Sequence, residues 1–343
     1  MYRLLRPLFF AFYPETAHKI VLMFLVIIRH IPFAKNIVRA IYCRKTPHLE
    51  RELFGLKFKN PVGLAGGFDK NAEYYNDMAN FGFSFIEIGS ISPLPQDGNE
   101  KPRLFRIVED EALINRMGLN NNGVKKAIEN LKKNKPETII AANITKNNTT
   151  SLEDAGADYE RVFALAYDFV DMFVLNISCP NVSGLGKLQG VEHLAGIIDK
   201  VLDMRRYYDE YKPILIKLSP DISKEQLDDI IELSLLSGID GIVATNTTTS
   251  REGLKTPVEQ LDSIGNGGLS GAPLFKRSKE MVKYIHQKSK GLIPIIACGG
   301  IMTPQQAKEM LDAGASLIEI YTGFIYKGPA MVRNIVNYLE KNA

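Results

Sequence analysis

IPIIACGGIMTPQQAKEMLDAGASLIEIYTGF, residues 293–324, contains one complete strand–turn–helix–strand unit. Its two apolar runs, Pro294–Cys298 and Leu317–Tyr321, have the length and the isoleucine content of buried strands. Between them, Pro304–Ala313 has the composition of a helix that begins at a proline. Two buried strands joined by a helix form a parallel βαβ unit, so this stretch predicts an α/β fold.

The same alternation extends back along the chain to Leu53. Helical stretches such as Lys224–Leu236 separate six earlier β-rich runs: Val62–Ala65, Phe85–Gly89, Ile139–Ile144, Met172–Ile177, Ile214–Leu218 and Gly241–Thr245. Eight such runs predict one closed (β/α)8 TIM barrel, with an open doubly wound sheet as the alternative. The segment LFGLKFKNP, residues 53–61, predicts a hairpin that plugs the barrel floor.

Residues 1–47 differ in composition from the rest of the chain and are predicted to form an N-terminal helical arm on a catalytic barrel of residues 48–343. The arm has one acidic residue, Glu15, and a charge of +7, which leaves −4 on the remainder. Its basic residues are Arg3, Arg6, Lys19, Arg29, Lys35, Arg39, Arg44 and Lys45. A basic arm predicts an anionic surface as its partner. Nucleic acid fits less well because the arm is too apolar.

Three helical segments are predicted in the arm: Tyr2–Tyr13, interrupted by Pro7, then Glu15–Arg29, and Ala34–Arg44. The apolar run Ile20–Ile28 is shorter than the roughly 20 residues that a membrane span needs, and no signal-peptide cleavage site follows it. Helices this apolar bury themselves against lipid, a partner or the barrel. The arm is therefore expected to bind a membrane peripherally, with a simple helical cap on the barrel as the alternative.

Three widely spaced cysteines, Cys43, Cys179 and Cys298, indicate a reducing compartment and neither a disulfide framework nor a metal site. Cys179 lies in NISCPN, just past a predicted strand. A thiol has an ordinary pKa of about 8.5 and acts as a general base once ionised. A nucleophilic role would need a nearby histidine, and His193 is the local candidate.

Polar and glycine residues follow every predicted strand at its carboxyl end, where the active sites of (β/α)8 barrels lie. In chain order these are Gly66, Gly67 and Lys70; Gly89 and Ser90; Asn143; Asn176, Ser178 and Cys179; Lys217; Thr245, Asn246 and Thr247; Gly299 and Gly300; and Tyr321 and Thr322. Because all eight ends contribute, a large polar ligand is predicted on top of the barrel.

Small residues after the last two strands, in ACGGI and IYTGF, allow backbone N–H groups to approach a phosphate. The segment GNGGLSG, residues 265–271, is expected to add further backbone donors. The pattern predicts a phosphate-bearing cofactor, and tight turns alone are the alternative.

Two lysines at strand ends, Lys70 and Lys217, each need an anion or acceptors if they are buried. One is expected to stabilise negative charge on a reduced flavin and the other to bind a substrate carboxylate. Asparagines donate and accept hydrogen bonds, which suits a flat ring such as a pyrimidine. The candidates are Asn115, Asn143, Asn176, Asn181 and Asn246.

Ten motifs occur in order between Gly63 and Pro329: AGGFDKN, EIGS, KPRLFR, INRMGL, NISCPN, KLSPD, ATNTT, GGLSG, CGGI and IYTGF. Together they resemble the dihydroorotate dehydrogenase family. The resemblance implies bound FMN, hydride transfer from C6 of dihydroorotate to the flavin, and removal of a proton from C5 by a base.

The resemblance also implies the site residues. The cofactor would contact Gly66, Gly67, Lys70, Ser90, Asn143, Asn176, Lys217, Thr245, Gly271, Gly300, Tyr321 and Thr322. The substrate would contact Lys70, Asn115, Arg116, Met117, Gly118, Leu119, Asn176, Asn181, Asn246 and Thr247. Cys179 would be the catalytic base.

The arm, with its segment YPETAHK, resembles that of class 2 enzymes, which lie on the cytoplasmic face of the cell membrane and reduce a quinone. His18 and Arg106 match residues that line the quinone tunnel of that class. The chain departs from class 2 at Cys179, where serine is usual and cysteine is typical of class 1, at Leu119 for phenylalanine, and at Ser90 for threonine. The alternatives are a soluble-type enzyme that uses fumarate or NAD, another FMN barrel acting on a hydroxy acid or uracil ring, and a non-catalytic membrane-bound nucleotide sensor.

Overall fold

The structure, a computed structural model, describes residues 2–178 and 190–342. The strands are β1 (Arg51–Leu53), β2 (Leu56–Phe58), β3 (Val62–Asp69), β4 (Phe85–Ile91), β5 (Leu104–Ile107), β6 (Ala112–Asn115), β7 (Ile139–Ile144), β8 (Met172–Asn176), β9 (Ile214–Leu218), β10 (Gly241–Ala244), β11 (Gly268–Gly271), β12 (Ile295–Cys298) and β13 (Leu317–Ile320). The α-helices are α1 (Tyr2–Phe10), α2 (Pro14–Arg29), α3 (Ala34–Tyr42), α4 (Tyr75–Ala79), α5 (Gly123–Lys133), α6 (Ala155–Ala166), α7 (Val191–Arg205), α8 (Lys224–Ser237), α9 (Val258–Ile264), α10 (Phe275–Lys288), α11 (Pro304–Asp312), α12 (Thr322–Lys327) and α13 (Met331–Lys341).

Eight strands form a closed parallel barrel in the order β3-β4-β7-β8-β9-β10-β12-β13, and β13 pairs with β3 to close it. These strands read as nearly continuous apolar runs because helices cover their outer face and the barrel interior covers their inner face. The predicted TIM barrel is confirmed, and every barrel strand begins within one residue of its predicted start. Closure leaves no sheet edge, which rules out the open doubly wound alternative.

A hairpin of β1 and β2 closes the amino-terminal end of the barrel, as predicted. Its two turn residues, Phe54 and Gly55, both have positive φ, 57° and 76°, as a type I′ turn requires. Phe58 packs edge to face on Phe85, the first residue of β4, with ring centroids 5.5 Å apart. The hairpin therefore supplies the apolar floor on which the barrel interior rests.

A three-stranded antiparallel sheet, in the order β11-β6-β5, lies beside the barrel mouth. The sequence does not predict this sheet, which includes the carboxyl-terminal part of the segment 265–271 that is expected to add backbone donors. Gly268–Gly271 is the strand β11, which pairs with β6 along its length, and Leu269 also exchanges hydrogen bonds with Thr248. Pairing with β6 and with Thr248 therefore occupies backbone N–H groups of β11, while Gly271 at its end lines the cavity.

The arm consists of α1, α2 and α3, close to their predicted bounds, but α1 runs through Pro7 instead of being interrupted there. Proline removes one helical hydrogen bond, and the bonds after it still form, such as Ala11 N–H to the Pro7 carbonyl at 3.0 Å. Among the described helices none is both long and apolar enough to cross a membrane alone; α2 and α3 reach that length and hydropathy only as a pair bent by 117°.

Ion pairs connect the arm to the barrel. Arg29 pairs with Asp77, and Lys35 and Arg39 both pair with Glu137. In a further ion pair the acidic group lies on the arm and the basic group on the barrel: Glu15 accepts a hydrogen bond at 3.0 Å from Arg103. Among the described side chains of the arm, Arg29, Lys35 and Arg39 are thus ion-paired with the barrel, so the charge available to an external anionic surface is lower than composition suggests.

Candidate active site

A cavity of about 670 Å³ lies between the carboxyl ends of the barrel strands and the arm helices α1 and α2. Its size is that of a pocket for a cofactor or drug-sized molecule. Each barrel strand, or the residue directly after it, contributes to the wall. This arrangement follows from parallel pairing, which brings all eight carboxyl ends to one end of the barrel.

The twelve residues expected at the cofactor all line this cavity: Gly66, Gly67, Lys70, Ser90, Asn143, Asn176, Lys217, Thr245, Gly271, Gly300, Tyr321 and Thr322. Six further residues expected at the substrate also line it: Asn115, Met117, Gly118, Leu119, Asn246 and Thr247. The structure therefore brings residues that are spread along most of the barrel's sequence, from Gly66 to Thr322, to one cavity.

Arg116 is the exception among the described candidates and does not line the cavity. Its guanidinium donates hydrogen bonds to the carbonyl groups of Ile264 and Pro102 and lies over the Phe105 ring, 4.7 Å from the centroid. The Arg116 side chain points away from the cavity, because alternation along an extended segment directs neighbouring side chains to opposite faces. Its substrate contact stays a prediction. Cys179 and Asn181 lie outside the described residues.

The floor of the cavity is a buried ionic network. Lys217 Nζ lies 2.8 and 3.1 Å from the two carboxylate oxygens of Glu87 and 3.4 Å from Glu319 Oε2. Asn143 Nδ2 donates to Glu87 Oε1 at 2.6 Å. Burial alone would lower the pKa of Lys217, but attraction to Glu87 and Glu319 outweighs it and raises that pKa. Lys217 therefore remains an ammonium ion in the barrel interior.

The two glutamates respond in opposite directions to the same surroundings. Burial would raise the pKa of Glu87, but the charge of Lys217 and several hydrogen bonds hold it below its usual value. For Glu319, burial and the neighbouring Glu87 carboxylate raise the pKa well above its usual range. Two like charges in one buried site disfavour simultaneous ionisation.

Glu87 and Glu319 are not among the residues predicted from the sequence, although the sequence around each carries a signal. Each is a single acidic residue inside an apolar strand, in FIEIG and LIEIY. A lone charge in a strand that is buried on both faces predicts an ion pair within the barrel. The pattern cannot identify the partner, which lies 130 residues from Glu87 and 102 residues from Glu319.

Gly271 and Gly300, at the rim of the cavity, are required because a neighbouring backbone segment passes close to each of them. Gly300 has a φ of 74°, and a Cβ there would collide with the backbone of Phe275. Gly271 has a φ of 104°, and a Cβ there would collide with the Glu111 carbonyl oxygen. Any other residue at either position would displace a neighbouring chain segment, so both glycines allow these segments to pack closely at the rim.

Amide and hydroxyl side chains form a connected group above the floor. Asn176 Nδ2 donates to Ser90 Oγ at 2.8 Å, and Asn246 Nδ2 donates to Asn176 Oδ1 at 3.3 Å and Ser178 Oγ at 3.1 Å. At the side of the cavity Lys70 Nζ donates to the Gly67 carbonyl at 3.0 Å. Such a group binds the polar edges of a planar ring.

The arm forms the apolar side of the same cavity. His18 of α2 packs edge to face on Phe68, with centroids 4.9 Å apart, and Arg106 of β5 lies over the Phe10 ring at 4.5 Å. Arg106 also donates to the Phe12 carbonyl at 2.6 Å. Burial, and then the positive charge of Lys70, lower the pKa of His18 to about 4, so the imidazole is neutral at physiological pH.

Comparisons with known proteins find similar proteins over nearly the full length of this chain. A family model described as dihydroorotate dehydrogenase matches residues 48–342. A protein of Christiangramia forsetii named dihydroorotate dehydrogenase (quinone) is 48% identical over 98% of this chain and 97% of its own length. A Coxiella burnetii protein of the same name is 42% identical over 99% and 96%. A structure of DHODH from Eimeria tenella with ferulenol is 35% identical, with a TM-score of 0.86 over 95% of this chain and 90% of that one.

Proposed function

Since this chain belongs to the dihydroorotate dehydrogenase family, we propose that it oxidises (S)-dihydroorotate to orotate in de novo pyrimidine biosynthesis, with FMN as cofactor and a membrane quinone as electron acceptor. The observation that carries the proposal is the continuity of one cavity from the polar barrel top to the apolar surface of the arm. A polar reductant and an apolar oxidant can thus reach one redox group from two sides.

The residues around the cavity fit FMN. Asn143 Oδ1 is buried without a hydrogen-bond partner among the described residues, as expected of an acceptor that faces a ligand donor. Gly271, Gly300 and Thr322 border the wall where a phosphate would meet backbone and hydroxyl donors. Lys217 would lie near the flavin ring. When bound, FMN supplies a ring that accepts a hydride and passes the electrons to a second acceptor.

The asparagine group and Lys70 would bind the substrate. Asn115, Asn176 and Asn246 present amides to the polar edge of a pyrimidine, and the Lys70 ammonium group matches the substrate carboxylate. These contacts would fix the ring so that its C5 and C6 hydrogens face the groups that remove them. Orientation of this kind contributes to the rate because it replaces a bimolecular encounter with an ordered one.

Oxidation of dihydroorotate removes a proton from C5 and a hydride from C6, which leaves a C5–C6 double bond. We assign proton removal to Cys179, on the family resemblance of NISCPN. The described residue beside it, Ser178, accepts a hydrogen bond from Asn246 and is buried. The hydride's two electrons leave with the quinone, so the overall reaction balances as a two-electron dehydrogenation.

The quinone would enter between α1 and α2. The lining there is mostly apolar, with Phe9, Val21 and Leu22 beside His18 and Arg106. A neutral His18 allows an uncharged quinone ring to approach without desolvating a cation. The polar edges of His18 and Arg106 would hydrogen-bond to its carbonyl oxygens.

We place the protein peripherally on the cytoplasmic face of the cell membrane, held by residues 1–47 as a functional unit distinct from the barrel of residues 48–343. The support is a set of large apolar side chains on the arm that face solvent, in which Leu4 is 83% and Phe33 77% exposed. The others include Leu8, Met23, Phe24, Ile27 and Ile37. Amphipathic helices of this kind insert their apolar side into a membrane interface.

The test is a two-step assay on the purified protein. Dihydroorotate added without oxygen should bleach the flavin absorbance, and a short-chain quinone should restore it faster than fumarate or NAD does. Reoxidation mainly by fumarate or NAD would replace the quinone assignment with the soluble-type enzyme. Bound flavin that dihydroorotate does not reduce would contradict the catalytic proposal altogether and favour a sensor.

A further inference from the structure

The cavity floor contains three ionisable side chains from three strands, and their full charges do not cancel. Lys217 would contribute one positive charge, and Glu87 and Glu319 two negative charges, all with side chains at most 6% exposed. A net charge so deep in a barrel is costly, because burial in a medium of low dielectric penalises an uncompensated charge. A proton on one carboxyl group removes the imbalance.

We propose that Glu319 holds this proton and acts as a positioning residue, donating a hydrogen bond to the Glu87 carboxylate that binds Lys217. The inference rests on the proposed function only in placing FMN above this floor. The floor is then a neutral ion pair of Lys217 and Glu87 with an uncharged acid beside it.

Hydrogen-bond geometry decides which carboxyl group is protonated. Glu87 accepts from Lys217 through both oxygens, at 2.8 and 3.1 Å, and from Asn143 at 2.6 Å. Glu319 is 3.4 Å from Lys217 through Oε2, and its Oε1 has no hydrogen-bond partner among the described residues. A buried carboxylate with an unpaired oxygen is expensive, whereas a carboxylic acid has a hydrogen to donate. The opposite pKa directions of the two glutamates agree with this assignment.

The other groups that face Glu319 do not supply the missing charge. Cys298, on the neighbouring strand β12, has its pKa raised to about 12 by burial, against the lowering effect of Lys217, and stays a neutral thiol. Asn143 is neutral. On the opposite side of Glu87, Gly66 leaves room for the carboxylate, since a Cβ there would collide with Glu87 Oε1.

The proton on Glu319 determines whether the cavity can bind a negatively charged group above its floor. An ionised Glu319 would make the floor net negative and repel a phosphate, a substrate carboxylate or an electron-rich reduced ring. With Glu319 neutral, the field of Lys217 is balanced by one carboxylate only, and the ammonium stays available to an anion in the cavity. Glu319 thereby sets the electrostatics of the site without touching substrate.

Infrared spectroscopy of the holoenzyme tests the proton directly. Protein labelled with ¹³C-glutamate should show a protonated-carboxyl C=O band at neutral pH, and the label separates this band from flavin and aspartate signals. Glu319→Gln should remove the band and retain FMN, because glutamine supplies a neutral donor of the same shape. Glu319→Leu should weaken FMN retention about tenfold, as the loss of one buried hydrogen bond would.

Two variants complete the design. Glu309→Gln, on an exposed carboxylate paired with Lys279, is the matched control and should leave the band unchanged. Glu87→Gln should remove the band without touching Glu319, because Glu319 then ionises to pair with Lys217. A band that survives either Glu319→Gln or Glu87→Gln, or that is absent from the unmodified enzyme, overturns the proposal. The band is present or absent whether or not dihydroorotate reduces the flavin, so failure of the proposed function would be seen separately.

Discussion

Lys217 keeps its charge at the bottom of the cavity because two buried carboxyl groups lie within 3.4 Å of its ammonium group. The protein therefore compensates the cost of burying this cation before any ligand arrives. A reduced flavin would bring a further negative charge close to the same ammonium group. Lys217 is already charged and in place, so no other side chain has to move to stabilise that charge. Preorganised charge of this kind acts without reorganisation during the reaction.

Lys217→Met is expected to lose FMN or to slow flavin reduction by about 10²-fold or more, because it removes the cation and leaves Glu87 buried without its partner. Stopped-flow absorbance with dihydroorotate measures the rate. Lys212→Met is the matched control: Lys212 is equally buried near the start of the same strand, but it bonds to the Val170 carbonyl away from the cavity. Normal reduction in Lys217→Met would refute the assignment.

Cys179 is expected to make flavin reduction depend on pH, rising until the thiol ionises and then levelling off. Cys179→Ala should keep FMN and orotate binding and lower the rate of flavin reduction at least about 10²-fold. Cys179→Ser should stay active with its optimum at higher pH, since a hydroxyl is a far weaker acid. Stopped-flow pH profiles give these rates, with Cys43→Ala as a control. Near-native reduction in Cys179→Ala would make Ser178 the next residue to test.

Helix α2 has two apolar faces with different environments. Ala17, Leu22 and Leu25 are buried against the barrel, while Met23 and Ile27 face solvent. One face docks the arm on the barrel and the other is free for lipid. Because both faces are apolar, the sequence Ile20–Ile28 within α2 is continuously apolar. His18 belongs to the docked face, where it packs on Phe68 of the barrel.

Arm docking is expected to weaken as pH falls from about 6.5 towards about 4. Burial lowers the pKa of docked His18 to about 4 from its usual 6.5, so only the undocked arm takes up a proton in this interval. Stability of the docked state therefore rises with pH across the window and is fully present above it. Limited proteolysis of the arm across this range measures the effect.

His18→Gln should flatten the proteolysis profile above about pH 4.5, where the carboxylates that connect arm and barrel are still ionised. His48→Gln, on an exposed histidine beyond the arm, should leave the slope unchanged. An equal slope in the unmodified chain and in His18→Gln would assign the acid sensitivity to other groups.

The molecule is a barrel with a helical arm, in which α1 and α2 border the cavity at the barrel mouth and α3 pairs with Glu137, just before β7. The ion pairs Arg29–Asp77 and Arg39–Glu137 hold the arm in place, while every residue proposed to contact FMN lies in the barrel. Chemistry on dihydroorotate and delivery of electrons to quinone are thus separable by position. The cavity joins them because the arm forms its apolar wall.

Deletion of residues 1–47 is expected to leave a flavin-loaded barrel that dihydroorotate still reduces, while quinone turnover and liposome binding are lost or much weakened. The deletion removes the apolar wall and the exposed lipid-facing side chains but no proposed FMN contact. Absorbance, quinone assays and vesicle co-sedimentation measure the three properties. Unchanged quinone turnover together with unchanged liposome binding would rule out the arm's proposed role.

The sequence by itself determined the barrel, its hairpin plug and the polar part of the cavity lining at the strand ends. Strand and helix periodicity are local properties, so Ile214–Leu218 and its seven counterparts can be found without knowing what they pack against. Parallel closure then brings every strand's carboxyl end to one place, and residues as distant as Gly66 and Thr322 line one cavity as a consequence.

Only the tertiary structure decided the charge network of Lys217, Glu87 and Glu319, the pairing of β11 with β6, and the direction of the Arg116 side chain. Glu87, Lys217 and Glu319 are separated by more than 100 residues, and their protonation depends on mutual distance and burial, which no local pattern encodes. The pairing of β11 with β6 and the outward direction of Arg116 have the same origin. Long-range contacts fix which groups are buried together, and burial changes the energy of a charge or an unpaired donor far more than sequence neighbours do.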